Sequence, residues 1–293
     1  ILVCDVYYKK SAMSNDPLHW LDDELANLSV QHLRRELPLW SRDLDSGAIY
    51  GGDVSLINFA SNDYLGLARE LNSPTLQATL EEFGWGSGAS PLVTGRTTVH
   101  AALESDLAAF KATERALTFP TGYAANVGTI AALVGKQDVI LSDIRNHASI
   151  IDGCRLSGAT VLVYRHNDMA HLAELLTSAS SHRRRLIVTD SLFSMDGDVA
   201  PLAKIAELSR AHDCMLMIDE AHATGVFGEH GRGLAELFHC EAAVDVTVGT
   251  FSKALGSIGG FVAGSEKLID WLANSARSYI FSTALPAACS SAC

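Results

Sequence analysis

From about residue 100 onward the chain alternates short apolar runs with helix-like stretches, and few architectures accommodate that alternation. Runs at 116–119, 139–141, 160–164, 186–189, 215–218, 244–248 and 260–263 read as strands. Segments 124–134, 169–178 and 202–212 between them carry helical patterning. Strands joined through helices form right-handed βαβ units. An α/β fold is therefore predicted, with a mostly parallel, seven-stranded sheet covered by helices on both faces. In such sheets a ligand sits beyond the carboxyl ends of the strands. The residues that follow each run carry the functional information.

Those residues form a chemically coherent set. After 116–119 comes Pro120-Thr121-Gly122-Tyr123-Ala124, a tight turn opening a helix, whose free N–H groups and positive dipole end suit a phosphate. Asp143 and Asn146-His147 follow 139–141, and Asp190 to Asp198 follow 186–189. Asp219-Glu220-Ala221-His222 follow 215–218, and Gly249-Thr250-Phe251-Ser252-Lys253 follow 244–248. Taken singly, each has an ordinary structural explanation: a plain connection, a helix cap, a solvated charge. Together they are what pyridoxal phosphate (PLP) requires. A lysine holds the aldehyde as a Schiff base, and a carboxylate keeps the ring nitrogen protonated so that the ring can act as an electron sink. A histidine and a serine can hydrogen-bond the phenolate oxygen, and a flat side chain can stack on the ring.

Composition removes several alternatives. Lys plus Arg total 22 against 34 Asp plus Glu, a net charge of −12 that disfavours nucleic acid and anionic membranes. No apolar stretch reaches the roughly 18–20 residues of a membrane span. Nothing at the start reads as a signal peptide, and the six cysteines contain no C-x-x-C pair. Buried thiols in a reducing, cytoplasmic setting are expected, with Cys154 and Cys214 in apolar surroundings. Gly84-Trp85-Gly86-Ser87-Gly88 superficially resembles a dinucleotide loop, but residues 75–83 before it read as helix where that motif needs a strand. No close His/Cys cluster predicts a metal. Upstream, Leu21, Leu25, Leu28, His32 and Leu33 recur at helical spacing before Pro38. Residues 1–57 are read as an N-terminal segment with this amphipathic helix, and 58–293 as the large cofactor-binding domain. Residues 1–12 match no pattern.

Three segments resemble the α-oxoamine synthases, PLP enzymes of fold type I: Phe193-Ser194-Met195-Asp196-Gly197-Asp198, Asp219 to Gly225, and Gly249 to Gly256. Asn58 to Leu67 is similar to a stretch shared widely across that family. Gly86-Ser87-Gly88-Ala89-Ser90 through Gly95, and Arg165-His166-Asn167-Asp168, resemble its biotin-synthesis branch. The resemblance runs over residues 33–286. It implies that Lys253 is the Schiff-base lysine, which also removes the substrate's α-proton. It further implies that Asp219 pairs with the ring nitrogen, that His222 and Ser194 face the phenolate oxygen, and that His147 stacks on the ring and assists decarboxylation. Gly122, Tyr123 and Thr250 would hold the phosphate, with Ser282 and Thr283 reaching a neighbour's phosphate in a homodimer. Asn62 would touch the amino-acid carboxylate, and Arg34 the acyl substrate.

The implied reaction condenses L-alanine with a pimeloyl thioester, on coenzyme A or acyl carrier protein, and releases carbon dioxide. A glycine-using sibling and a catalytically silent fragment or partner subunit stay open as alternatives. Pro91 stands where relatives often carry a basic residue. The family continues for about another hundred residues past the position of Cys293, so a small C-terminal domain is expected to be missing from this chain.

Overall fold

The computed structural model describes residues 16–43, 47–69 and 74–293; residues 1–12 lie outside that set. The chain divides into two compact units, 1–59 and 60–293. The first contains the helix Trp20–Val30 and a three-stranded antiparallel sheet of β1 (Ser41–Arg42), β2 (Ile49–Gly51) and β3 (Val54–Leu56). The helix stops earlier than its leucine spacing predicts. His32 takes a left-handed φ of 57°, and the Leu33 and Arg34 N–H groups both turn back to the Leu28 carbonyl. That reversal, not Pro38, ends it.

The second unit is built on seven strands: β4 (Arg115–Phe119), β5 (Val139–Asp143), β6 (Thr160–Tyr164), β7 (Arg185–Asp190), β8 (Met215–Asp219), β9 (Val246–Thr250) and β10 (Gly260–Gly264). Their spatial order is β4-β10-β9-β8-β7-β5-β6. The pairs β6–β5, β5–β7, β7–β8 and β8–β9 are parallel, and β10 runs antiparallel between β9 and β4. The expected fold class holds. The expected run at 244–248 starts two residues later, at Val246. A short turn at Glu241–Ala243 precedes it, and the Asp245 carboxylate accepts from Leu216 N at 2.7 Å, so ladder pairing begins only at Val246 opposite Met217.

Alternation along the strands sends side chains into two buried layers. Leu186 and Val188 pack with Ala125, Ile130 and Ile150 on one face, while Ile187 joins Leu172, Leu202 and Ile205 on the other. Both faces are covered, as a parallel sheet requires. Helix Pro74–Phe83 confirms that no strand precedes the Gly84–Gly88 loop. Cys154 and Cys214 are buried, and burial pushes both thiols up to about 11. Among the described residues no helix is long and apolar enough to cross a membrane.

One close approach matters for what the sheet carries. Thr121 caps the helix Gly122–Leu133, and its hydroxyl accepts from Ala124 N at 3.0 Å. This turn crosses directly over β10, so a Cβ on Gly260 would lie 2.5 Å from both Gly122 N and Thr121 O. Backbone cannot retreat as a flexible side chain can. Gly260→Ala should therefore cost about 1–3 kcal/mol by overpacking, read from urea unfolding; a loss below about 0.5 kcal/mol would show that the turn yields.

Candidate active site

The carboxyl ends of β4, β5, β7, β8 and β9 converge on a cavity of about 200 Å³. Its lining includes Gly122 and Tyr123, His147, Asp190 and Ser194, Asp219 and His222, and Thr250 and Lys253. Every one of these lies at or just past a strand end, where the alternation places them.

At one end, the first turn of helix Gly122–Leu133 presents N–H groups that the helix itself cannot satisfy. A Cβ on Gly122 would come 3.2 Å from Thr250 Cβ, so a glycine keeps this floor open. Thr250 Oγ1 donates to Gly259 O at 2.7 Å and lies 2.7 Å from Ser252 Oγ. Tyr123 swings outward, its hydroxyl donating to Asp152 at 2.5 Å. Its contribution to the turn is therefore its backbone.

At the other end sits Asp219, 5% exposed. Its Oδ1 accepts from Ala221 N at 2.8 Å and its Oδ2 from Asn126 Nδ2 at 2.6 Å. Asn126 stands one helical turn beyond Gly122, so the same helix offers N–H groups at its start and orients the carboxylate four residues on. Asp190 lies beside Asp219 in register on β7. Burial and the Asp219 charge push its carboxyl well above the usual range. Asp190 Oδ2 accepts from His147 N at 2.7 Å, and His147 Nδ1 lies 2.7 Å from Ser149 Oγ. The His147 backbone and one ring nitrogen are thus fixed while the residue stays exposed.

Lys253 follows β9 in a turn closed by Gly256 N donating to Lys253 O at 3.0 Å. Burial lowers its ammonium pKa, opposed by Asp219 and Asp190. Burial and the Lys253 charge bring His222 down to about 4. Tyr64 OH lies 2.7 Å from His222 Nδ1 and donates to Asn62 Oδ1 at 3.3 Å, so Asn62, exposed and not among the lining residues, is linked to His222 through Tyr64. Arg34 belongs to the first unit, where its Nη1 donates to Ser29 Oγ at 3.5 Å. Ser282 and Thr283 are not among the residues lining this cavity.

The profile of the family "Aminotransferase class I and II" matches residues 54–293. An 8-amino-7-oxononanoate synthase from Anaeromyxobacter sp. (strain Fw109-5) is 50% identical over 275 residues, spanning 93% of this chain and 68% of that protein. Another from Pelobacter propionicus is 51% identical over 272 residues, 92% of this chain and 68% of the relative. The chain belongs to the class I and II aminotransferase family. Within it, the chain is a PLP-dependent acyltransferase of the α-oxoamine synthase group. A solved serine palmitoyltransferase from S. paucimobilis, with PLP–myriocin bound, superposes with a TM-score of 0.87 at 30% identity, covering 94% of this chain and 70% of its own.

The cavity fits PLP on its own chemistry. N–H donors at a helix start suit a phosphate, a buried carboxylate with fixed orientation suits a protonated ring nitrogen, and Lys253 Nζ has no hydrogen-bond partner among the described residues. Three contributors are not singled out by the sequence reading: Asp190 and Tyr64 lie inside segments named above, and Asn126 two residues past the Pro120–Ala124 turn. Asn126 was signalled by its spacing from Gly122, Asp190 by its place at a strand end, and Tyr64 only by a contact 158 residues distant in sequence.

The depressed His222 pKa makes a checkable statement. Its folded pKa near 4 lies below the ordinary histidine value of 6.5, so its stability contribution is fully present above about 6.5 and is lost as pH falls through about 4. NMR titration should place the His222 midpoint near 4; a midpoint at or above 6 would contradict the burial argument.

Proposed function

We propose that the protein catalyses the decarboxylative condensation of L-alanine with a pimeloyl thioester, on coenzyme A or acyl carrier protein, to give 8-amino-7-oxononanoate, as in biotin synthesis. The reaction forms one carbon–carbon bond and releases carbon dioxide and a free thiol. The observation that carries this reading is the roughly 50% identity, over more than 90% of the chain, to proteins of that name. The cavity supports it by holding the groups such chemistry needs.

Bound there, PLP supplies an electron sink for charge developed at the amino acid's α-carbon. The residues do the rest. Lys253, with its ammonium pKa lowered by burial, is suited to holding the cofactor's aldehyde carbon and to taking and returning the α-proton. Asp219, aimed by Asn126 and Ala221 N, presents a fixed negative charge to the ring nitrogen. His147 offers its ring to the cofactor face and a polar edge to the acid that loses carbon dioxide. Gly122, Tyr123 and Thr250 receive the phosphate, and His222 and Ser194 the phenolate oxygen. Asn62 serves the amino-acid carboxylate and Arg34 the acyl group. On the same reading the enzyme is cytoplasmic, consistent with its buried, unpaired Cys154 and Cys214.

Ser282 and Thr283 are assigned to the phosphate of a second copy. Their position outside this chain's own cavity and the 70% exposure of neighbouring Phe281 support a homodimer with sites shared across a two-fold axis. Light scattering should show a dimer; a fully active monomer would remove this part of the reading.

Two further outcomes test the chemistry. Borohydride reduction of protein incubated with PLP should fix the label on Lys253, and labelling at Lys204 or Lys267 instead would overturn the lysine assignment. L-alanine with a pimeloyl thioester should release carbon dioxide at least tenfold faster than glycine with acetyl- or succinyl-coenzyme A. One methyl group in a pocket contributes about 1–3 kcal/mol, which sets that scale. Equal or faster turnover of glycine would move the protein to a sibling activity while leaving the PLP residues in place.

A further inference from the structure

Outside the cavity lining, His166 is held between two carboxylates on different segments. Its Nδ1 lies 2.9 Å from Asp143 Oδ1, at the end of β5, and its Nε2 lies 2.7 Å from Asp198 Oδ2. The side chain is 17% exposed, and Phe193 stands edge-on to it with centroids 4.5 Å apart. The platform is firm. Asp168 caps the following helix, Met169–Ser178, by accepting from His171 N at 2.9 Å, and Asn167 adopts a left-handed φ of 54°.

The two carboxylates belong to the segments that carry site residues. Asp143 Oδ1 accepts from Arg145 N at 2.8 Å, which shapes the loop leading to His147. Asp198 closes the turn that carries Ser194: Phe193 N donates to Asp198 O at 2.9 Å and Gly197 N to Phe193 O at 2.8 Å. We propose that His166 is a positioning residue, registering the Ser194 turn against the His147 loop and so setting the shape of the cavity between them. This rests on the reading that His147 and Ser194 face the cofactor.

The hydrogen-bond inventory supports a charged clamp. Asp143 also accepts from Asn167 N at 3.0 Å, and Asp198 Oδ2 from Asn167 Nδ2 at 3.0 Å. Asn167 Nδ2 also lies 3.3 Å from His166 Nε2, but its two N–H groups are taken by Asp198 Oδ2 and by Val199 O at 3.2 Å. With both aspartates accepting, both ring nitrogens of His166 donate, and only the imidazolium donates from both. Burial opposes that charge, while the hydrogen bonds and charges of Asp143 and Asp198 raise the His166 pKa. Nearby Arg145 and Arg165 are already engaged, with Asp196 at 2.6 Å and Asp168 at 2.8 Å. Neither guanidinium therefore pairs with Asp143 or Asp198, and His166 is the basic side chain that meets both.

His166→Gln keeps a side chain of similar reach without the charge, and Asp198→Asn breaks the other end of the same link. Each variant should bind PLP about tenfold more weakly, the scale of one charge-assisted link lost. Each should also shift the absorption maximum of the bound cofactor. Hydrogen exchange should quicken at residues 144–147 and 193–198 while the sheet strands keep their protection. Unchanged PLP affinity and spectrum in both variants would overturn the proposal, as would protection lost uniformly across the sheet. Ser194→Ala separates the two readings. If it shifts the spectrum while His166→Gln does not, the positioning role fails alone; if Ser194→Ala is also silent, the placement of the cofactor against this turn fails.

Discussion

Asp219 ends β8 with its carboxylate almost wholly out of water, and a charge in that position is tolerated only where it is held by donors. Asn126 and Ala221 N provide them, and the consequences spread through the cavity. Asp190, beside it in register, cannot readily ionise next to an existing negative charge, so its carboxyl is pushed up. Lys253 faces both aspartates, yet burial still draws its ammonium down, and His222 feels both burial and the lysine. The result is a set of titratable groups whose ordinary order has been compressed. Such perturbed groups gathered at strand ends are what a functional site looks like.

The sheet makes this arrangement rigid. Parallel strands deliver their carboxyl ends to one rim, so β5, β7, β8 and β9 place His147, Asp190, Asp219 and Lys253 by backbone register. The one antiparallel strand, β10, serves a different purpose. It fills the space between β9 and β4 and passes so close beneath the Thr121–Gly122 turn that only glycine fits at 260. The helix-start end of the cavity is therefore fixed by sheet packing, and the opposite end by the hydrogen-bonded Asp219 carboxylate. His166 ties together the two segments on the remaining side.

How much of this was legible in the sequence follows from what each feature depends on. The seven strands were readable because buried parallel strands are short apolar runs, and the residues after them announce themselves by type; their spatial order was not. Asp219, His222, Thr250 and Lys253 reach one cavity for that reason. Local competition was harder to read. The N-terminal helix ends at Val30 because the backbone reverses at His32, which leucine spacing does not report. The start of β9 slips to Val246 because the Asp245 side chain takes a ladder donor. Contacts between distant segments were out of reach altogether. Nothing near Tyr64 says that its hydroxyl will lie against His222, and nothing near His166 says that two aspartates 23 residues before it and 32 after it will converge on its ring.

The family and the substrate rest on different physics. Cofactor chemistry demands several groups at once, at distances set by a sheet, so its signature is long and specific. Substrate choice between alanine and glycine turns on one methyl group, worth about 1–3 kcal/mol, which a single side chain in contact with the α-carbon can supply or remove. No strand end need move for that change, and no cofactor residue need alter. Asn62, proposed for the substrate carboxylate, precedes the first strand of the seven-stranded sheet and meets Tyr64 OH at 3.3 Å, and Arg34, proposed for the acyl group, belongs to the unit 1–59. On the proposed reading, the groups held by sheet register serve the cofactor, and the residues proposed for the substrate lie on segments that the sheet does not constrain.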